Sequence, residues 1–406
     1  MSKRLSVGFI YFGVVLMTLL LRISSALDIY SALGVDSDAF FTGIVQIVIF
    51  GVMSVSLYLL CVTKKHGESF LQFRQDLGIR RTSLRNWLRV VGVTVCMIII
   101  ANAISVVWQS VLSLMGYVRV PSSTDYYDIG VLFRELVLVA LLPGVFEEVA
   151  HRGLLYAGYK ETGWKFVLVS AVLFSLMHQN IVQTGYTMFD GAVIALTMYY
   201  TGSIFPCIFI HFVNNAVSVC SGYVAQNGGI FSFMLTLEQW LSGTAAGFAV
   251  SILAVFIAAG LLILFFKRMR KDAVQRGFMS PVPFESLSEY KSRTGAVYTY
   301  VSDSDKTYGV SVLNGGDETP YVSVLNGSDE TPDVSVCEKD IISYQNADAT
   351  DSEEKRKTYS DILSSGTQNT PAKKQPLKLS HDPFFIATVA LGIAATLFSL
   401  IWGMTR

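Results

Sequence analysis

Glu147, Glu148, His151 and Arg152 stand within the octapeptide FEEVAHRG (residues 146–153), preceded by LVLVALLPGV and followed by LLYAGY. A charge at bilayer depth costs about 2.5–3.5 kcal/mol on insertion scales, so pairing is expected. On a helix Glu148 and Arg152 are four residues apart and their heads meet on one face. Such a pair neutralises itself and locks helix packing. Glu147 and His151 share that spacing on a face rotated by about 100°. Glu147 is then a surplus carboxylate, which packing alone explains poorly, and it is the candidate general base.

Two further pairs complete a chemical set. FSLMH places Phe174 four residues before His178, and HFVNN places His211 four residues before Asn215. Each alone is commonly a polar packing contact. Their expected depths agree, however. If the chain turns near residues 160–164, Glu147 lies about 20 Å and His178 about 21 Å above the turn, at 1.5 Å per residue. His211 lies about 12 Å above the start of its own helix at Ser203. One intramembrane cavity can then collect all four.

A carboxylate and an imidazole polarise a water; a second imidazole and an amide stabilise an oxyanion. That set suits amide hydrolysis by water. Glu147, His178 and His211 are equally a ligand set for a divalent metal such as zinc, with a position open for water. Other chemistries are poorly supported. There is no HExxH and no GxSxG, and Ser175 has no partner in the sequence. Asp190 is a single intramembrane aspartate where aspartyl chemistry needs two. The five cysteines form no CxxC pair and read as buried free thiols.

The elements that carry these residues follow from composition. Apolar residues make up 52% and charged residues 15% of 406 positions, too apolar for a water-soluble chain. The formal net charge of zero gives no reason to expect nucleic acid. The fold class expected is all-α, a polytopic bundle of eight to nine transmembrane helices in a lipid bilayer. Apolar runs place the spans near 6–27, 39–63, 87–115, 130–159, 164–183, 187–201, 203–222, 246–266 and 383–402, the sixth being short. Lys3, Arg4, the loop from Lys64 to Arg89, Lys160, Lys165 and the run Lys267–Lys271 all fall on one side of alternating spans. Positive charge marks the cytoplasmic side. The N-terminus and residues 268–382 are therefore expected in the cytoplasm.

That last segment is polar and contains a 12-residue repeat, VSVLNGGDETPY (310–321) then VSVLNGSDETPD (322–333). The V-S-V-L alternation before Asn-Gly favours a hairpin. Two copies bury no core, and disorder is the expectation. A cytoplasmic partner is the role such a segment suggests. The organisation read is thus 1–129 (N-terminal spans), 130–222 (motif-bearing core), 223–267 (a loop and eighth span), 268–382 (the polar segment) and 383–406 (a final span).

The ordered motifs EExxxR, FxxxH and HxxxN, in FEEVAHRGLLY (146–156), FSLMH (174–178) and TGSIFPCIFIHFVNN (201–215), resemble the CPBP family. That family comprises type II CAAX prenyl proteases and bacterial relatives linked to bacteriocin processing and immunity. The resemblance covers about residues 130–222. It implies a membrane protease in which Glu147 and His178 activate water, His211 and Asn215 stabilise the oxyanion, and Glu148 and Arg152 support the site. It leaves open a zinc site or a metal-free, glutamate-activated water. His151 departs from the family, which usually has an apolar residue before the arginine. The function expected is an intramembrane endopeptidase acting on a membrane-associated peptide or protein at the cell membrane. The alternative is a non-catalytic scaffold or immunity factor of the same fold acting through its cytoplasmic segment.

Overall fold

Short polar signals divide the apolar chain into helices. In a computed structural model the described residues are 2–26, 43–118, 124–228, 232–277, 279–280, 297–303, 306–312, 322–325, 379 and 382–405. Ser69 caps α3 (Phe70–Asp76), Ser83 caps α4 (Leu84–Leu114) and Asp128 caps α5 (Ile129–Tyr159), each accepting a backbone N–H of the first turn. Before them lie α1 (Lys3–Ala26) and α2 (Ile44–Lys64). After α5 come α6 (Lys165–Met177), α7 (Ile181–Thr201), α8 (Ile204–Asn227), α9 (Ser232–Gly243) and α10 (Ala245–Gln275). The last helix, α11 (Pro383–Met404), starts with proline at its first turn and Asp382 as cap.

Among the described residues seven helices, α1, α2, α4, α5, α8, α10 and α11, are long and apolar enough to cross a membrane. The expected spans 164–183 and 187–201 take a different form. The first ends early: α6 has 13 residues, about 20 Å at 1.5 Å per residue, short of the roughly 30 Å of a bilayer core. It ends because Gln179 takes a left-handed backbone (φ 50°) and the Asn180 side chain caps the next helix. The second, α7, therefore begins at Ile181 and packs back along α6. It has 21 residues, but polar groups such as Gln183, Thr187 and Asp190 lower its hydropathy. Because the two helices form a pair, the alternation of later spans is unchanged.

The chain divides into two units, residues 1–271 with 378–406, and residues 272–377. In the first, one apolar core joins α1, α2, α3, α5 and α6 through Tyr11, Phe50, Leu155 and Phe166. A second joins α4, α7, α8 and α10 through Met97, Met198, Ile210 and Met269. Large apolar side chains such as Leu60, Leu114, Phe256 and Phe398 point outward, a surface suited to lipid.

In the second unit the described residues form an antiparallel sheet in the order β1 (Val297–Asp303), β2 (Lys306–Val312), β3 (Val322–Leu325). The start of the first repeat pairs with the start of the second, Val310 opposite Val324 and Val312 opposite Val322. The Asn-Gly pairs of both repeats, and most of the stretch expected to be disordered, lie outside the described residues.

One end of the bundle gathers the basic loops. Buried Asp76 accepts from Lys3 (2.5 Å), Tyr58 (2.9 Å) and Lys160 (3.3 Å), joining α1, α2, α3 and the end of α5. Beside it Asp382 accepts from Arg4 (3.1 Å) and Tyr159 (2.8 Å), fixing the start of α11. The Arg80 guanidinium donates to the Gly202 carbonyl, and the Ser203 hydroxyl to the Arg80 carbonyl (2.7 Å), holding the α7–α8 turn at the same end.

Burial pushes the Asp76 carboxyl up, but Lys3, Lys160 and Tyr58 outweigh it and hold it below its ordinary value. A depressed folded-state value stabilises above the unfolded carboxylate range, near pH 4, and that stability is lost as pH falls through the folded value. Asp76→Asn should therefore cost about 1.5–3 kcal/mol at neutral pH. The difference from the parent should shrink as pH falls below about 4, read from thermal unfolding of the purified protein in detergent.

Candidate active site

The motif-bearing part of α5 is wound unevenly. Leu136–Leu141 and Val149–Leu155 are π-helical turns on either side of the α-helical stretch Leu142–Glu148. Such widened turns recur at functional sites because they redirect side chains and free carbonyls. Here Glu147 and Glu148 project from between them.

Glu148 is fully buried and forms the expected pair. Its Oε1 accepts from Arg152 (2.8 Å) and lies 2.8 Å from His211 Nδ1 on α8. Arg152 also donates to the Gly191 carbonyl of α7 (3.0 Å) and stands over the Phe174 ring of α6, 4.6 Å from its centroid. Gly191 also lets α7 lie close against α6: a Cβ there would lie 3.1 Å from the Ala171 backbone and 3.2 Å from Phe174. One carboxylate and one guanidinium thus tie α5, α6, α7 and α8 together.

Glu147 faces elsewhere. Its Oε1 accepts from Gln46 Nε2 of α2 (2.7 Å), and its Oε2 is buried with no partner among the described residues. Glu147 and His178 line one cavity of about 100 Å³ with Gln46, Thr18, Arg22 and Phe50. That volume holds water. His178 closes α6 and donates Nδ1–H to the Phe174 carbonyl (2.7 Å), which turns its Nε2 outward from the helix.

His211 and Asn215 occupy a different place. Neither lines the cavity of Glu147 and His178. His211 is bound to Glu148, and Asn215 donates Nδ2–H to the Val139 carbonyl (3.0 Å), in the first π-helical turns of α5. Phe174 stands between the groups, its ring 5.0 Å from the His178 ring and 5.5 Å from the His211 ring, both edge-on. Phe174 was visible in FxxxH only as spacing; its role as the shared wall was not.

His151, the departure from the family pattern, also turns away. Its Nδ1–H donates to the Glu147 backbone carbonyl (2.8 Å), and its Nε2 accepts from the Tyr11 hydroxyl of α1 (2.5 Å). It fastens α5 to α1 and does not meet the Glu147 carboxylate. Gln46 is a site residue that the motifs did not reveal. The available signal was a single amide in the apolar run GIVQIVIFGVM (43–53).

Residues 130–217 match the family described as type II CAAX prenyl endopeptidase, Rce1-like. The match bears out the resemblance drawn from the three motifs, and every candidate residue from Glu147 to Asn215 falls inside it. No curated protein and no solved structure matches the chain. Gln46, Thr18 and Arg22 complete the cavity from outside the Rce1-like segment.

The donor set for a metal can be tested on this geometry. Glu147 Oε2 and the Nε2 atoms of His178 and His211 are the ligating atoms left over. Among the described residues, however, no three His, Cys, Asp or Glu side chains gather as a metal-holding group. The Phe174 ring packs against both the His178 and His211 rings, and His211 Nδ1 is bound to Glu148.

Removing Arg152 would strand Glu148 as a buried charge. Arg152→Ala should cost about 3–5 kcal/mol, measured as a large drop in unfolding midpoint. Glu147→Gln, which exchanges a carboxylate for an amide beside a cavity, should leave that midpoint near the parent's.

Proposed function

We propose that the protein is an intramembrane endopeptidase that hydrolyses a peptide bond in a membrane-associated peptide or protein, with Glu147 as general base. The observation that supports this most is the buried, unpartnered Oε2 of Glu147, which shares a water-sized cavity with His178. The unpaired oxygen is where a reacting water fits.

Glu147 Oε2 takes a proton from a water in the cavity that it and His178 both line. The water oxygen bonds to the scissile carbonyl carbon and a tetrahedral oxyanion forms. The C–N bond then breaks, and Glu147 returns its proton to the leaving amine. The products are a carboxylic acid and an amine. The oxyanion role belongs, by family resemblance, to His211 and Asn215. Each keeps one group for it, the Nε2–H that His211 carries as an imidazolium and the second amide hydrogen of Asn215. Glu148 and Arg152 hold the four helices. No step is assigned to zinc, because the three candidate ligands do not converge.

The family description makes a prenylated CAAX peptide the first probe. The basic end of the bundle, with Lys3, Lys160 and Arg80, is the cytoplasmic side on this reading, at the plasma membrane. Purified protein in proteoliposomes should cleave a farnesylated, quenched-fluorescent CAAX peptide. Glu147→Gln should lower kcat by about 10²–10⁴-fold, the usual contribution of a general base. A wild-type rate in that variant would refute the assignment. Incubation with 1,10-phenanthroline should leave cleavage unchanged; loss of activity restored by added zinc would replace the metal-free mechanism with a metal-dependent one.

A further inference from the structure

Glu147 is held by a residue that lies 101 positions away and outside the Rce1-like segment. Gln46 and Glu147 are each only 6% exposed. A carboxylate accepts hydrogen bonds and donates none, so the Gln46 amide hydrogen faces Glu147 Oε1. The Gln46 carbonyl oxygen is thereby turned away from it.

That orientation leaves two buried acceptors without partners, Gln46 Oε1 and Glu147 Oε2. Buried acceptors are nearly always satisfied, by protein or by ordered water. The two belong to one hydrogen-bonded pair, and both residues line the cavity that His178 also lines. A single water has two hydrogens to give.

The backbone supports the placement. The π-helical turns Ile44–Met53 contain Gln46, and Gly51 brings the same helix against α5. A Cβ at Gly51 would lie 2.9 Å from the Phe146 ring, the residue before Glu147.

We propose that Gln46 is a catalytic residue of the hydrolysis: its amide hydrogen holds Glu147 Oε1, and its own Oε1 takes one hydrogen of the nucleophilic water while Glu147 Oε2 takes the other. The water is then oriented with its lone pairs toward the substrate carbonyl. This rests on the reading of Glu147 as the base.

The test uses full-length protein in proteoliposomes with the farnesylated CAAX peptide. Gln46→Met keeps the length and volume of the side chain and removes both polar atoms. It should lower kcat by about 100-fold with KM within about twofold, as expected when a reacting group loses its orientation. Gln46→Asn keeps the same groups but draws them back by one methylene, and should lose about 10-fold or more in kcat. If Gln46→Met does not fold, Gln46→Asn decides. Turnover within about twofold of the parent in the folded variant, or a loss confined to KM, overturns the proposal. Added to Glu147→Gln, Gln46→Met should bring no further loss. An inactive Glu147→Gln beside an active Gln46→Met overturns the role of Gln46 alone; a fully active Glu147→Gln overturns both readings.

Discussion

The Glu148 carboxylate is the interaction on which the bundle around the site depends. It is fully buried, and it takes a guanidinium from its own helix and an imidazole from another. In a dry interior such a charge is tolerable only with its partners in place. Arg152 extends the requirement to Gly191 of α7 and to the Phe174 ring of α6. Four helices are thus held in one register by one charge and its partners. A shift of any of them would strand a polar group.

The second charged centre works by the same physics at the other level of the bundle. Asp76 of α3 and Asp382, the cap of α11, collect lysines, an arginine and two tyrosine hydroxyls from α1, α2 and the end of α5. These bonds hold the helix ends, while the Glu148 pair holds their middle. Between the two lies apolar packing around Tyr11, Phe50 and Leu155. Tyr11 contributes to both purposes, since its hydroxyl anchors His151. The imidazole that breaks the family pattern thereby finds a structural explanation: it joins α1 to the backbone of Glu147.

Local chemistry was legible in the sequence, and long-range assembly was not. The Glu148–Arg152 pair follows from helical spacing alone, and so does the surplus character of Glu147. Apolar runs placed the seven long helices. The stop after α6 was harder, because it turns on the left-handed backbone of Gln179, a conformation that glutamine rarely signals. The tie from Asn215 to Val139 depends on a π-helical turn, and no residue type announces one. Gln46 reaches Glu147 only because α2 folds against α5, a contact across 101 positions that no local pattern encodes. Depth arithmetic set His178 level with Glu147 and allowed His211 to join them. The direction in which each side chain faces, which separates them by a phenylalanine ring, was beyond it.

Two adjacent carboxylates therefore serve opposite ends through their partners. Glu148 meets a cation, so its charge is cancelled where it stands and its Oε1 is committed to holding helices. Glu147 meets a neutral amide, which can fix a carboxylate in place without cancelling its charge. An oxygen so placed attracts a proton donor, and in a cavity of about 100 Å³ the donor that fits is water. On the proposed reading, a neutral partner and an adjoining cavity suit Glu147 to be the base, and the one-residue offset on α5, about 100° of rotation, supplies both.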